Sequence, residues 1–211
     1  MTAGTHEGYT EHLIPPVYPI IDNLLAAEAF LEAGAGILQF RHKGFWSREV
    51  FAVAQTVGKL CSEAGALFVV NDRADYAGIL GAGLHVGQED LLPSDARLIL
   101  GSDAIVGFST HNVTQMIAAE AEPINYVAFG PVFPTASKAN PDPVTGIETL
   151  RAVRALTSKP LVAIGGITRG NASLCWTAGA DSVAVIGDLL PDPCNKRTLR
   201  ARMDEWLRLK D

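Results

Sequence analysis

The sequence predicts a single (β/α)8 TIM barrel, and three observations lead to this fold class. Eight short apolar segments alternate with longer amphipathic segments along the chain. Strands and helices that alternate in this way pair as a parallel sheet through right-handed crossovers. Near-continuous apolar strands indicate a sheet that is buried on both faces. Eight such units in 211 residues fit a compact closed barrel.

The predicted strands are short runs rich in Val, Ile, Leu, Phe and Ala. They cover residues 17–21, 36–41, 67–70, 83–86, 104–108, 125–129, 160–164 and 181–186. The predicted helices cover residues 23–33, 47–64, 72–80, 93–100, 112–121, 147–157, 168–178 and 195–209. Ser47 stands where a helix N-cap is expected. A doubly wound open sheet is the competing fold, but it rarely needs eight strands at this length. Its G-x-G-x-x-G phosphate motif is also missing after the first strand.

Composition limits the partners that this chain can have. Hydrophobic residues make up 48% of it and charged residues 19%, which supplies a large core and excludes a disordered protein. The net charge of −6 argues against nucleic acid or an anionic membrane as the main partner. We find no apolar run of membrane-spanning length and no signal-peptide pattern. Three scattered cysteines are typical of a reducing compartment, so we expect a cytoplasmic protein.

The domain organisation is predicted to be simple. Residues 1–15 are polar and end at a Pro-Pro pair, which indicates an N-terminal extension outside the core. Residues 16–211 form the single barrel domain. A homodimer is left open, because one sequence does not reveal a surface patch.

Polar and charged side chains concentrate where the predicted strands end. In a barrel these positions, and the loops directly after them, face one common site. Arg41, Lys43 and Lys138 would bring three positive charges into this cleft, and such charges bind phosphate oxygens. Asp72 and Asp90 follow neighbouring strands and carry the oxygen ligands that Mg²⁺ prefers together with substrate phosphate. The combination predicts a Mg²⁺-dependent site for a diphosphate, although each residue alone could be a solvated charge or a helix cap.

Two glycine turns predict a second anion site. Gly165 and Gly166 follow the seventh strand and Gly187 follows the eighth, so bare backbone amides can approach a ligand closely. Barrels often bind a phosphate monoester between these two loops. The site is therefore predicted to take two small molecules, one with a diphosphate and one with a monophosphate.

Seven segments carry a family resemblance: LQFRHK (38–43), VVNDRADYA (69–77), LHVGQED (84–90), VGFSTHN (106–112), FGPVFPTASK (129–138), AIGGI (163–167) and GADSVAVI (179–186). Together they make residues 17–190 resemble the thiamine-phosphate synthase family. The resemblance implies a transferase that joins a pyrimidine diphosphate to a thiazole phosphate. It also implies a dissociative route, in which diphosphate leaves first and the thiazole nitrogen captures the pyrimidine-methyl cation.

The resemblance further implies roles for individual residues. Gln39 would contact the pyrimidine, and Asp72 and Asp90 would hold Mg²⁺. The diphosphate would be bound by Arg41, Lys43, Asn71 and Lys138. The thiazole phosphate would be surrounded by Thr135, Ser137, Gly166, Ile186 and Gly187. Ser109 would lie beside the reaction centre, so the catalytic candidates are Arg41, Lys43, Ser109 and Lys138.

Some residues depart from the family pattern or have no role in it. His42 replaces a common acidic residue, but strand alternation points it away from the site. Gly187 stands where the family often has Ser, which removes a hydroxyl contact to phosphate. Residues 136–146 are predicted to form a lid over the barrel mouth. For His85 and His111 we expect structural or hydrogen-bonding roles, since the implied mechanism needs little acid–base help.

Two other functions compete with the transferase. A related barrel that tautomerises thiazole phosphate would keep the monophosphate site but would have no use for the cations and the metal site. A non-catalytic regulator that binds thiazole phosphate would bind its ligand without turnover, even with Mg²⁺ and both substrates present.

Overall fold

Eight parallel strands close into a barrel in sequence order in this computed structural model. The structure describes residues 14–135 and 142–210. The strands are β1 (Val17–Ile21), β2 (Ile37–Phe40), β3 (Leu67–Asn71), β4 (Gly83–Val86), β5 (Val106–Thr110), β6 (Tyr126–Phe129), β7 (Leu161–Ile164) and β8 (Ser182–Val185). Each strand pairs with the next, and β8 pairs with β1. The predicted (β/α)8 barrel is confirmed.

A helix follows every strand and packs on the outside of the barrel. The helices are α1 (Leu24–Glu32), α2 (Arg48–Ala64), α3 (Ala74–Leu80), α4 (Pro93–Leu100), α5 (Val113–Ala119), α6 (Ile147–Arg154), α7 (Ala172–Thr177) and α8 (Lys196–Leu207). The Ser47 hydroxyl accepts from the Val50 amide and caps α2, as predicted. Among these described helices, none combines the length and the apolar character that crossing a bilayer requires.

Several element boundaries differ from the prediction by a few residues, and two boundaries and one additional element bear on the site. The fifth strand was expected at 104–108 but ends at Thr110, so Ser109 is a strand residue. The third helix was expected from residue 72 but begins at Ala74, because Asp72 adopts a left-handed backbone with φ of 64°. A short 3-10 helix, Gly187–Leu189, follows β8 and was not predicted.

The core has two layers, one between strands and helices and one inside the barrel. The outer layer is built from large side chains such as Phe30, Phe40 and Trp206. The inner layer contains Ile14, Tyr18, Ile20, Ile37, Val69, Tyr126, Ala128, Val162 and Ala184. Ile14 is only 1% exposed, so the barrel includes a residue that the sequence placed in the extension. Residues 1–13 lie outside the described part of the chain.

Candidate active site

A cavity of about 710 Å³ opens at the carboxyl end of the barrel. Every predicted site residue within the described ranges lines it: Gln39, Arg41, Lys43, Asn71, Asp72, Asp90, Ser109, Thr135, Gly166, Ile186 and Gly187. Ser137 and Lys138 lie outside the described residues, as do residues 136–141 of the predicted lid. The barrel therefore brings together residues that lie as far apart in the sequence as Gln39 and Gly187.

The cationic part of the cavity comes from the end of β2 and the loop after it. The Arg41 amide donates to Ile21 O at 2.8 Å and keeps this segment next to β1. Burial lowers the pKa of the half-buried Arg41, and nearby Asp72 opposes this, but a guanidinium remains charged at any physiological pH. Lys43 is exposed, with Nζ 3.8 Å from Asp72 Oδ2. Two cations and a carboxylate thus share one side of the cavity.

Asp72 and Asp90 form a carboxylate pair across the loops after β3 and β4. Burial first, and then the charge and hydrogen bond of Asp90, raise the pKa of Asp72 to about 6 against the opposing charges of Lys43 and Arg41. The left-handed Asp72 is anchored by its amide, which donates to His85 O at 2.8 Å. Asp90 Oδ2 accepts from the Gly87 amide at 2.7 Å.

This pair fits a hard divalent cation. Two carboxylates close enough to share a hydrogen bond repel each other when both are ionised, and a bound cation removes that repulsion. Within residues 14–135 and 142–210 we find no cluster of three or more Asp, Glu, His or Cys side chains that could hold a metal. A metal here would therefore need further oxygens from substrate and water, which is how Mg²⁺ is usually bound.

Asn71 places an unused donor beside the carboxylate pair. Its side chain is buried at the end of β3, and its Nδ2 has no hydrogen-bond partner among the described residues. A buried amide donor without a partner is energetically costly. Since Asn71 lines the cavity, a ligand oxygen is the group that would satisfy it.

Both histidines that line the cavity are hydrogen-bonded, as expected from the sequence. His85 Nε2 lies 2.8 Å from Ser109 Oγ and its Nδ1 lies 3.0 Å from Tyr126 Oη. The His85 ring also stacks on Tyr126, with centroids 5.6 Å apart. Burial lowers the pKa of His85 to about 4, so the ring is neutral at pH 7. His111 Nδ1 contacts Gly130 O at 2.6 Å.

The glycine loops meet the loop after β6 on the opposite side of the cavity. Gly166 has φ of 63°, and a Cβ there would lie 2.3 Å from Pro134 O. The Phe133 amide donates to Gly165 O at 3.0 Å and joins the two loops. A side chain at Gly187, in contrast, would meet open space. The neighbouring Asp188 carboxylate accepts from Arg169 Nε at 2.9 Å, so a cation compensates the negative charge at this end.

Sequence reasoning missed several cavity and core residues. Asp188, Gln88 and Thr168 line the cavity but were not predicted as site residues. Tyr18 and Tyr126 point into the barrel, although strands that are apolar on both faces do not reveal which side chains face inward. His42 lies against Trp46, with ring centroids 6.2 Å apart, and does not line the cavity, which confirms the predicted orientation.

Comparison with known proteins agrees with the resemblance seen in the sequence. The family model described as thiamine monophosphate synthase matches residues 17–189. A thiamine-phosphate synthase of Koribacter versatilis is 48% identical over 184 residues, which cover 87% of this chain and 84% of the relative. Another, from Methanospirillum hungatei, is 38% identical over 186 residues, covering 84% of this chain and 90% of that one.

A solved structure shares the whole architecture as well. The thiamine phosphate pyrophosphorylase of Pyrococcus furiosus superposes with a TM-score of 0.82 at 31% identity, covering 92% of this chain and 94% of that chain. From the family match, the close relatives and this shared barrel, we conclude that the chain belongs to the thiamine monophosphate synthase family.

Proposed function

We propose that this protein is a thiamine-phosphate synthase. It would condense 4-amino-2-methyl-5-(diphosphomethyl)pyrimidine with a 4-methyl-5-(2-phosphoethyl)thiazole, or its 2-carboxy form, to give thiamine phosphate and diphosphate. The observation that carries the proposal is the layout of the cavity. Arg41 and Lys43 adjoin the carboxylate pair on one side, and the Gly166 and Gly187 loops lie on the other.

The proposed reaction depends on the departure of the diphosphate. The bond between the pyrimidine methylene carbon and the diphosphate oxygen breaks, and its electron pair stays with the leaving oxygen. The thiazole nitrogen then supplies the pair for the new carbon–nitrogen bond. Arg41 and Lys43 stabilise the negative charge that develops on the leaving group, together with Lys138 from outside the described residues. Mg²⁺ held by Asp72 and Asp90 would supply further positive charge to the diphosphate.

The remaining predicted residues hold the two rings in place. Gln39 contacts the pyrimidine, while Asn71 and Ser109 donate to the diphosphate. Thr135, Ser137, Gly166, Ile186 and Gly187 surround the thiazole phosphate. Holding two reactants in the correct geometry contributes roughly 7–11 kcal/mol to a bimolecular step. Positioning and charge neutralisation therefore suffice without an acid–base residue.

The carboxylate pair of Asp72 and Asp90 also argues against the two competing functions. A thiazole-phosphate tautomerase would need the monophosphate end of the cavity but no metal site. A regulator that only binds thiazole phosphate would likewise gain nothing from Asp72 and Asp90, whose close approach raises the pKa of Asp72. Maintaining such a pair is costly unless a cation uses it.

One assay tests the proposal directly. Purified protein is incubated with both substrates and with Mg²⁺ or EDTA, and thiamine phosphate and diphosphate are quantified. We expect product only with Mg²⁺. Lys43→Ala should reduce turnover about a hundredfold, since it removes a charge at the leaving group. Lys59→Ala, on the exposed face of α2 beside Glu63, is the matched control and should retain full activity. Absence of product while thiazole phosphate still binds would favour the tautomerase or the regulator.

We also propose a cytoplasmic homodimer. The cysteines Cys61, Cys175 and Cys194 are free thiols, which fits a reducing compartment.

The adjoining helices α3 and α4 expose Ile79, Leu98 and Ile99, and apolar surface of this kind favours association with a second copy. Light scattering of the native protein and of Leu98→Asp tests the dimer, because the variant should become monomeric.

A further inference from the structure

A chain of buried hydrogen bonds crosses the inside of the barrel. Gln39 Nε2 donates to Tyr18 Oη at 3.1 Å, and the hydroxyls of Tyr18 and Tyr126 lie 2.8 Å apart. His85 continues the chain to Ser109, with hydrogen bonds of 3.0 Å to Tyr126 and 2.8 Å to Ser109. We call these five residues the relay. The relay begins and ends at residues that line the cavity, while its central residues are buried.

The direction of the relay follows from its donors. An amide nitrogen only donates, so Tyr18 Oη accepts from Gln39 and has one proton of its own to give. Tyr18 gives this proton to Tyr126, which in turn donates to His85 Nδ1. An imidazole whose Nδ1 accepts carries its proton on Nε2, and this Nε2–H donates to Ser109 Oγ.

The reverse direction would be unfavourable. Both Gln39 and Tyr126 would then donate to Tyr18. The buried Tyr18 hydroxyl proton would have no acceptor among the described residues, which costs free energy. The relay therefore runs from Gln39 to Ser109.

Each end of the relay has one polar group available to a ligand: an acceptor at Gln39 and a donor at Ser109. Within the described residues, Gln39 Oε1 has no hydrogen-bond partner and is free to accept. Ser109 Oγ accepts from His85 and forms no other hydrogen bond to a described residue, so its proton is free for a ligand. The 4-amino group of the pyrimidine needs an acceptor, and the diphosphate of the same substrate needs a donor.

We propose that Tyr18, Tyr126 and His85 are positioning residues for the pyrimidine diphosphate. They hold Gln39 so that its Oε1 accepts from the pyrimidine amino group. They hold Ser109 so that its hydroxyl donates to the diphosphate. This inference rests on the proposed function, because it assigns both ends of the relay to one substrate.

A glycine in β5 provides the space that the relay requires. A Cβ at Gly107 would lie 2.0 Å from Tyr126 Cζ and 2.4 Å from its hydroxyl oxygen. The backbone at Gly107 is ordinary extended strand, so the glycine is needed for space rather than for conformation. The barrel thus accommodates a tyrosine at a position where inner layers usually hold aliphatic side chains.

Nitrogen-15 NMR of histidine-labelled, substrate-free protein measures the tautomer of His85, which reports the direction of the relay. His85→Gln identifies the signal of His85, and we expect the Nε2–H tautomer in the wild type. Tyr126→Phe keeps the stacked ring but removes the donor to Nδ1, so the other tautomer should gain population. Tyr18→Phe breaks the relay one step away and should leave the tautomer unchanged. Tyr76→Phe, at a ring stacked on Trp46 outside the cavity, is the matched control and should change nothing.

Steady-state kinetics with both substrates then tests the positioning role. We expect Tyr18→Phe and Tyr126→Phe each to raise the KM for the pyrimidine diphosphate about tenfold, the effect of one lost hydrogen bond. The KM for the thiazole phosphate should stay within about twofold, and Tyr76→Phe should behave as wild type. Circular dichroism establishes that each variant is folded.

The outcomes separate the relay from the proposed function. An Nδ1–H tautomer of His85 in an active enzyme would overturn the relay and leave the proposed function intact, as would an unchanged KM in both relay variants. A wild-type protein that forms no thiamine phosphate would overturn the proposed function and the substrate assigned to the relay. The tautomer of His85 would still report the direction of the hydrogen bonds in that case.

Discussion

The residue with the most unusual environment is Asp72, which is half-buried, left-handed and paired with Asp90. Its pKa is raised to about 6 by burial first and by Asp90 second. A metal ligand must be deprotonated, so in the proposed site protons and Mg²⁺ would compete for this carboxylate. Such competition would give Mg²⁺ binding a pH dependence close to the physiological range.

We therefore predict that Mg²⁺ affinity is independent of pH above about 7 and falls below about 6. Each unit of acidification below the pKa of Asp72 should weaken binding about tenfold, since the protonated fraction rises in that proportion. Titration calorimetry at several pH values measures this, with Asp72→Asn expected to abolish binding. Asp75→Asn, which changes a carboxylate that pairs with Arg73, should leave the profile unchanged. A flat profile down to pH 5 would contradict the assignment of Asp72 as a ligand.

Gly187 allows a test in which binding is improved. A Cβ at this position meets no atom within 4 Å and its φ is not positive, so Gly187→Ser fits without strain. In the proposed site the added hydroxyl would lie close to the thiazole phosphate. We expect the KM for thiazole phosphate to fall several-fold, because a hydrogen bond to a charged group is stabilising. A KM that is unchanged or higher would place the phosphate away from this loop.

At the scale of elements, the loops after β6 and β7 act as one unit. Gly166 approaches Pro134 O so closely, and with so positive a φ, that any side chain would separate the two loops. Gly166→Val should raise the KM for thiazole phosphate at least about tenfold while binding of the pyrimidine diphosphate persists. Gly170→Ala is the control, because a Cβ there lies a comfortable 3.7 Å from Thr168. Equal losses for both substrates would indicate general disruption of the barrel mouth.

The elements themselves were largely predictable, and the exceptions have physical causes. Strand order and strand number follow from the alternation of apolar and amphipathic segments. The start of α3 was not predictable from this alternation, because the left-handed turn at Asp72 depends on the contact of its amide with His85 O. The inward orientation of Tyr126 depends on space at Gly107, and such long-range complementarity is not visible in a strand that is apolar on both faces.

At the scale of the whole molecule, the barrel topology is what made the site predictable. Parallel strands place their carboxyl ends at one mouth, so reading residues after each strand recovers the cavity lining. The relay was not recovered, because it joins β1, β2, β4, β5 and β6 through the interior and leaves no local pattern. Local chemistry was therefore readable from the sequence, whereas connections across the barrel required the structure.

The stability of the whole domain should reveal the opposed titrations of two buried groups. The pKa of His85 falls from 6.5 to about 4 on folding, so the unfolded chain binds more protons between these values. Unfolding free energy contributed by His85 is present above pH 6.5 and is lost as the pH falls toward 4. Asp72 acts in the opposite direction, since its pKa rises from 3.8 to about 6 and the folded state binds the proton. In the absence of Mg²⁺ the two effects partly cancel and flatten the wild-type curve.

Replacing His85 should expose the contribution of Asp72. Between pH 7 and pH 4 we expect the unfolding free energy of His85→Gln to rise by about 3 kcal/mol relative to wild type, which is the free energy equivalent of the His85 shift. Denaturant titrations in EDTA at pH 7, 5.5 and 4 measure this difference in unfolding free energy. Because the substitution also alters packing, the test is how the difference changes with pH and not its absolute size. Thr56→Ala, which changes an exposed residue that does not titrate, should run parallel to wild type. Parallel curves for His85→Gln as well would mean that the pKa of His85 does not change on folding. The ring would then be protonated at pH 5.5 and below, and a ring that donates from both nitrogens would reverse its hydrogen bond with Tyr126 at those pH values.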